Sequence, residues 1–139
     1  MKPLFFALLA MLCWGIGPIF SKFGLTKIEP FTALMIRTAA VAGIMILVGL
    51  VTGKLSAVAQ VNWRSASFII GEGILAALLG QLSYYYAIKG GEISLISPLV
   101  AAFPLVTGLL AFLFLGENPS VHKIVGAILI IAGVVVIQK

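Results

Sequence analysis

The sequence predicts an all-α integral membrane protein with five transmembrane helices. Three observations predict it. Of 139 residues, 62% are hydrophobic and only 9% charged, whereas a soluble domain needs far more polar surface. The apolar residues gather into five long runs, each close to the ~20 residues that cross a ~30 Å hydrocarbon core. Finally, residues 101–115 and 124–137 are apolar on every face, while a barrel strand alternates apolar and polar positions over ~10 residues. In lipid such a run satisfies its backbone internally, as a helix does.

The first span is read as Leu4–Leu25. Lys2 before an apolar run resembles a signal peptide. No small-x-small cleavage site follows, and Trp14, Gly15 and Pro18 do, so the span is read as retained. The lone Cys13 lies inside it as a small apolar residue with no internal disulfide partner. Thr26–Glu29 links it to the second span, Pro30–Val51. The longest link, Thr52–Arg64, carries Leu55, Val58, Val61 and Trp63; it reads either as a segment lying along the membrane interface or as a surface loop.

The third span, Ser65–Ile88, has the most polar character. Lys89–Ile93, with Gly90 and Gly91, links it to the fourth, Ser94–Leu115. Pro98 stands near the start of that span, where it costs little. Pro104 stands deeper, where it should free a backbone carbonyl and kink the helix. Gly116–Ser120 leads to the fifth span, Val121–Ile137, and Asn118-Pro119 reads as a helix stop and restart. Short links predict antiparallel neighbours. The whole chain, 1–139, is read as one domain.

Net charge is +5 and the isoelectric point about 9.7. The basic residues lie singly in loops beside the spans, a placement that fits anionic lipid head groups and not nucleic acid. One side of the membrane carries Lys2, Lys54, Arg64 and Lys123; the other carries Lys22, Lys27, Lys89 and Lys139. Membrane proteins orient by a Lys/Arg imbalance between sides. Four against four leaves none, so either the chain inserts both ways up or a feature other than this balance orients it.

Two ionisable residues fall well inside spans: Arg37 and Glu72. Charge in a bilayer is expensive and marks a partner, a water-filled cavity or a function. Each lies roughly 10 Å into its helix at 1.5 Å per residue. Their helices start from opposite sides, so an antiparallel dimer would bring Arg37 of one subunit level with Glu72 of the other. Read as a structural pair, the two anchor each other; read as a site, Glu72 faces substrate or a proton. Arg37 has the further option of snorkelling to the interface. On an ideal helical wheel Glu72, Leu79, Ser83 and Tyr86 share a face. That face could line a cavity, with Ser83 and Tyr86 orienting a polar substrate. The alternative for the tyrosines is an interfacial belt, which is the reading for Tyr85. Gln81 points away, towards a neighbouring helix. Gly126 and Gly133 lie one heptad apart on the last helix and predict dimer contacts there. Glu117 serves the turn after span four, and His122 reads as interfacial.

No cofactor or metal site is predicted: one His, one Cys and no acid pair at workable spacing offer neither a ligand set nor a nucleophile–base arrangement. There is no Gly-x-x-x-x-Gly-Lys phosphate loop. The chain is therefore not read as an enzyme.

The last third carries Pro104-Leu105-Val106-Thr107-Gly108-Leu109-Leu110-Ala111-Phe112-Leu113-Phe114-Leu115-Gly116-Glu117, then Gly126-Ala127-Ile128-Leu129-Ile130-Ile131-Ala132-Gly133-Val134. This closely resembles the EamA-like domain of the drug/metabolite transporter superfamily. Trp14-Gly15 and Lys22 resemble its first-helix signature. Pro30, Leu34 and Arg37 resemble the start of its second helix, and Tyr84, Tyr86 and Ala87 the aromatic end of its third. The resemblance spans the chain, with Pro104–Glu117 its most specific part.

Most such proteins hold two domains and ten helices; this chain is similar to the five-helix bacterial and archaeal members, each a half-transporter unit. The resemblance implies export or exchange of small metabolites or drugs without ATP, in the cell (inner) membrane. It also makes Trp14 a candidate cavity aromatic. The smaller four-helix multidrug relatives use a membrane-embedded Glu in the first helix. Met11–Phe20 holds no acid, so that proton-coupled mechanism is not implied. The expected assembly is an antiparallel homodimer working by alternating access around a cavity lined by helices one, three and four. Two other readings stand beside it: a non-transporting or heteromeric subunit paired with an oppositely oriented paralogue, and a lipid-carrier flippase.

Overall fold

Residues 2–118 and 120–138 are described by the computed structural model. Met1, Pro119 and Lys139 lie outside them, and with them Pro119's part in the expected helix stop and Lys139's place in the charge balance. Every regular element among the described residues is helical. Four apolar helical stretches are long enough to cross a membrane: Pro3–Leu25, Pro30–Val51, Trp63–Gly90 and Ile93–Phe114. A fifth, shorter one is Val121–Ile137, whose 17 residues still fall within the usual range for a span. All five expected spans are present. The chain divides into two compact units, Met1–Gly90 and Gly91–Lys139.

In the first unit, α1 (Lys2–Leu25) and α2 (Pro30–Val51) are joined by a tight link. Glu29 caps α2: its side chain accepts from the Thr32 N–H at 3.1 Å. Pro30 follows at the first helical position, where its missing N–H would have had no partner. At its far end α2 closes on Thr52 and Gly53. Gly53 has φ +68°, a left-handed conformation that L side chains rarely adopt and glycine adopts freely.

The chain then makes one short turn of helix, α3 (Leu55–Val58). It folds back on α2, since a Cβ on Gly49 would lie 3.5 Å from Leu55 Cδ1. The link thus holds a short helical turn packed on the end of α2. Trp63 is 77% exposed. Asn62 caps α4 (Trp63–Glu72), accepting from the Arg64 N–H at 2.9 Å.

The third span is not one uniform helix. After α4 it runs as a π-helical segment, Gly73–Gly80, before returning to α geometry in α5 (Gln81–Gly90). The core of this unit is small and sits at one end of it. Leu25 from the end of α1, Pro30 and Leu34 from the start of α2, and Tyr85 and Ile88 from α5 are buried. Tyr85 is thus a core residue (5% exposed), not part of an interfacial belt. Most of the remaining apolar side chains are open, as expected of surfaces that meet lipid or another subunit.

In the second unit, span four is broken. α6 (Ile93–Val100) ends at Ala101, and α7 (Phe103–Phe114) starts afresh from Ala102. Ala101 N–H still reaches Ser97 O at 2.8 Å and Leu105 N–H reaches Ala102 O at 2.9 Å. Pro104 therefore occupies the first turn of a new helix, where a missing N–H costs nothing; it does not free a carbonyl deep in a continuous one. Within this span the proline inside a helix is Pro98, two residues before α6 ends. α7 closes on Gly116, at φ +68°. Ser120 caps α8 (Val121–Ile137), accepting from the Lys123 N–H at 3.3 Å. Glu117 pairs with Lys123 at 3.2 Å, both side chains being open to solvent, so this pair contributes little.

Candidate functional site

The π segment reads Gly-Ile-Leu-Ala-Ala-Leu-Leu-Gly. Glycines bracket it, and Gly80 is there for a reason of space: a Cβ would lie 3.2 Å from the Leu75 carbonyl oxygen. Gln81 N–H bonds Ala76 O, five residues back, as well as Leu78 O. Such segments are rare and recur at functional sites. Glu72 is the last α residue before it, with Ser83 and Tyr86 beyond it.

This corrects the wheel drawn from the sequence. The shared face of Glu72, Ser83 and Tyr86 assumed ~100° per residue throughout, and a stretch bonded i to i+5 winds less per residue. The register between Glu72 and the Ser83–Tyr86 pair therefore differs from that of an ideal wheel. All three are exposed. The Ser83 hydroxyl donates to Leu79 O at 2.8 Å, which leaves its oxygen free to accept.

Arg37 faces the π segment. With Thr38, Val41 and Ala42 of α2 and Ala77 of the π segment it lines a groove of about 210 Å³. A second groove of about 400 Å³ continues along α2 through the shared Thr38 and Ala42, and is otherwise walled by Phe31, Leu34, Met35, Ala39 and Leu78. Arg37 and Glu72 form no ion pair with each other: the pair formed among the described residues is Lys123–Glu117. Ala77, beside Arg37, is five residues past Glu72, an axial offset of roughly 7 Å.

The end of unit 1 is tied by polar bonds as well as by its core. Tyr86 O–H donates to Glu29 Oε1 at 2.9 Å. Lys22 Nζ donates to Ile88 O at 2.5 Å, and Lys89 Nζ to Ile28 O at 3.1 Å. Three bonds thus lock α1, the α1–α2 link and α5 together. Tyr86 is engaged here, as neither a free cavity residue nor a simple belt residue. The sequence alone marks Glu29 only as the end of a link, Lys89 as a flanking charge, and Lys22 as a flanking charge within the first-helix resemblance. The available signal was their shared position at span ends on one side of the membrane.

The Tyr86 hydroxyl, and after it the backbone N–H groups of Phe31 and Thr32, hold the Glu29 carboxyl below its ordinary value of 4.5. A carboxyl lowered on folding contributes stability that is present above that value and lost as pH falls through the folded one. Tyr86→Phe removes the largest cause. In an acid titration of the purified protein followed by circular dichroism, the variant is expected to lose structure at a higher pH than the wild type. Superimposable curves would show that the bond carries no linkage.

The other expected positions belong to other elements. Trp14 on α1 is 68% exposed. Pro104 belongs to the second unit. Gly126 and Gly133 on α8 have nothing within 4 Å of an added Cβ. Among the described residues no three His, Cys, Asp or Glu gather as a metal site.

Comparison with known proteins bears on this arrangement directly. The model of the EamA-like transporter family matches residues 1–138. The chain belongs to the EamA-like transporter family. It is 26% identical over 131 residues to a protein of Methanocaldococcus jannaschii named only as uncharacterized, with 94% of this chain and 92% of that one covered. It is 27% identical over 129 residues to an uncharacterized transporter of Sinorhizobium, encoded in the cobO 3′ region, with 93% and 91% covered. An uncharacterized transporter of Archaeoglobus fulgidus is 24% identical over 139 residues, covering 99% of this chain but 48% of its own length. No solved structure matches significantly. This EamA-like chain is thus a multi-pass membrane protein whose π segment, open intramembrane charges and locked helix end belong to a transporter-family unit.

Proposed function

We propose that this EamA-like protein moves small metabolites or drugs out across the inner cell membrane, as an antiparallel homodimer working by alternating access. The observation that carries the reading is the balance of basic residues, four on each side of the spans, which removes the usual orienting imbalance. A chain of five spans that inserts both ways supplies the inverted repeat on which many transporters are built. In this arrangement the substrate cavity lies between subunits, Glu72 faces it, and Arg37 of each subunit rests against Glu72 of the other. Neither residue has an ion partner within its own described chain, which supports that pairing.

Paired cytoplasmic and periplasmic reporters on the C-terminus test the reading. Signal from both supports dual insertion; signal from one side only overturns the homodimer and favours an oppositely oriented partner. Counterflow in proteoliposomes, with soluble metabolites and amphiphiles side by side, then separates metabolite transport from lipid-carrier flipping.

Gly126→Leu and Gly133→Leu test the dimer contact. At each position an added Cβ meets nothing within 4 Å, so the new side chain starts in open space. Each is expected to weaken dimerisation about tenfold, read by energy transfer between labelled subunits in liposomes. Undiminished transfer would take α8 out of the interface.

A further inference from the structure

The groove on α2 carries information about the ligand. Its charged end is Arg37, seven residues into the span. Thr38 adds a hydroxyl beside it, and Val41, Ala42 and Ala77 complete the wall. The continuation, about 400 Å³, is apolar except for that same Thr38. No acid lines either groove, and Arg37 has no ion pair within the described chain. An unneutralised guanidinium at membrane depth is costly, and an anion resting on it removes that cost. A guanidinium fork also matches a carboxylate bidentately.

We propose that the substrate is a monoanionic organic amphiphile: its carboxylate binds Arg37 and its apolar body lies along Phe31, Leu34 and Met35. This rests on the transporter reading above and names its substrate class. The single cation along the groove and its continuation fits a single negative charge. The π segment sets the opposite wall: Ala77 and Leu78 belong to it, and the small Ala77 side chain leaves the guanidinium open. In the dimer, the substrate carboxylate takes the place of the other subunit's Glu72 on Arg37. The two carboxylates then alternate on one cation, so the Arg37 guanidinium is never left unpaired.

The probes are phenylacetate, phenethyl alcohol and phenethylamine, which share an aromatic body and differ in charge. Binding is measured by calorimetry to the whole protein in nanodiscs of neutral phosphatidylcholine, and again with anionic phosphatidylglycerol added. Phenylacetate is expected to bind at least tenfold more tightly than either other probe, with the same affinity in both lipids. Arg37→Ala should abolish the preference, and Arg37→Lys should keep part of it.

Equal binding of the three probes by the wild type, or no binding of phenylacetate, overturns the proposal even if the alanine variant fails to fold. Loss of phenylacetate binding in phosphatidylglycerol also overturns it, because the groove is then a lipid site. Counterflow with the same probes keeps the two readings apart. Arg37-dependent binding without counterflow upholds the anion site and sinks transport, whereas counterflow of the amine or the alcohol alone upholds transport and sinks the anion site.

Discussion

Replacing Ile88 with alanine is expected to destabilise the first unit by about 3 kcal/mol, within the usual range for truncating a fully buried aliphatic side chain. Ile88 is 0% exposed. Its backbone carbonyl also accepts the Lys22 bond, so a shift of α5 into the vacated space would disturb a charged donor as well. The comparison variant is Ile44→Ala on α2, at a position 61% exposed. There the lost methyl groups faced lipid or a neighbouring subunit and leave no cavity behind, so the cost should stay below about 1 kcal/mol. Unfolding both variants by titration with sodium dodecyl sulfate, read by circular dichroism, checks the pair. An Ile88→Ala shift no larger than that of Ile44→Ala would mean that the locked end is not where this unit draws its stability.

Glu72→Gln is expected to reduce transport at least tenfold while leaving the fold unchanged. Glu72 stands where α4 gives way to the π segment, exposed and without an ion partner in the described chain. A carboxylate kept at membrane depth without local compensation is costly unless a partner, water or a ligand meets it. Glutamine keeps shape and hydrogen-bonding capacity and removes the charge, so a packing role would survive the change. Glu72→Asp should retain part of the rate. The double exchange Arg37→Glu with Glu72→Arg tests the pair: recovery above either single variant supports direct contact between subunits. Full activity of Glu72→Gln would make the residue a spectator.

The membrane class, the five spans and most of their ends were legible because length and apolarity are what the bilayer selects for. Pro30–Val51 and Val121–Ile137 coincide with the helices formed. The winding inside the spans was not legible. Gly73–Gly80 has the same apolar character in α or π geometry, and the choice rests on backbone bonds that composition does not report. The break at Ala101–Ala102 was displaced on Pro104 for a related reason. A proline signals a helix boundary nearby, but it is tolerated at the first turn and forbidden only further in. At the candidate site, Arg37 and Glu72 stood out because charge in an apolar run is conspicuous. Glu29 did not, because a loop acid looks ordinary until the Tyr86 hydroxyl is seen reaching it.

The unequal lengths of the spans have a consequence for where the protein works. Val121–Ile137 has 17 residues, about 26 Å of helix, whereas Trp63–Gly90 has 28, roughly 40 Å. A hydrocarbon layer of ~30 Å is crossed by the first nearly upright and by the second only with tilt. Thickening the bilayer relieves the long span, which then needs less tilt, and strains the short one; thinning it does the reverse. A change in bilayer thickness therefore loads the two spans in opposite senses, and tilt of the longer one and snorkelling at the ends of the shorter one take up the difference.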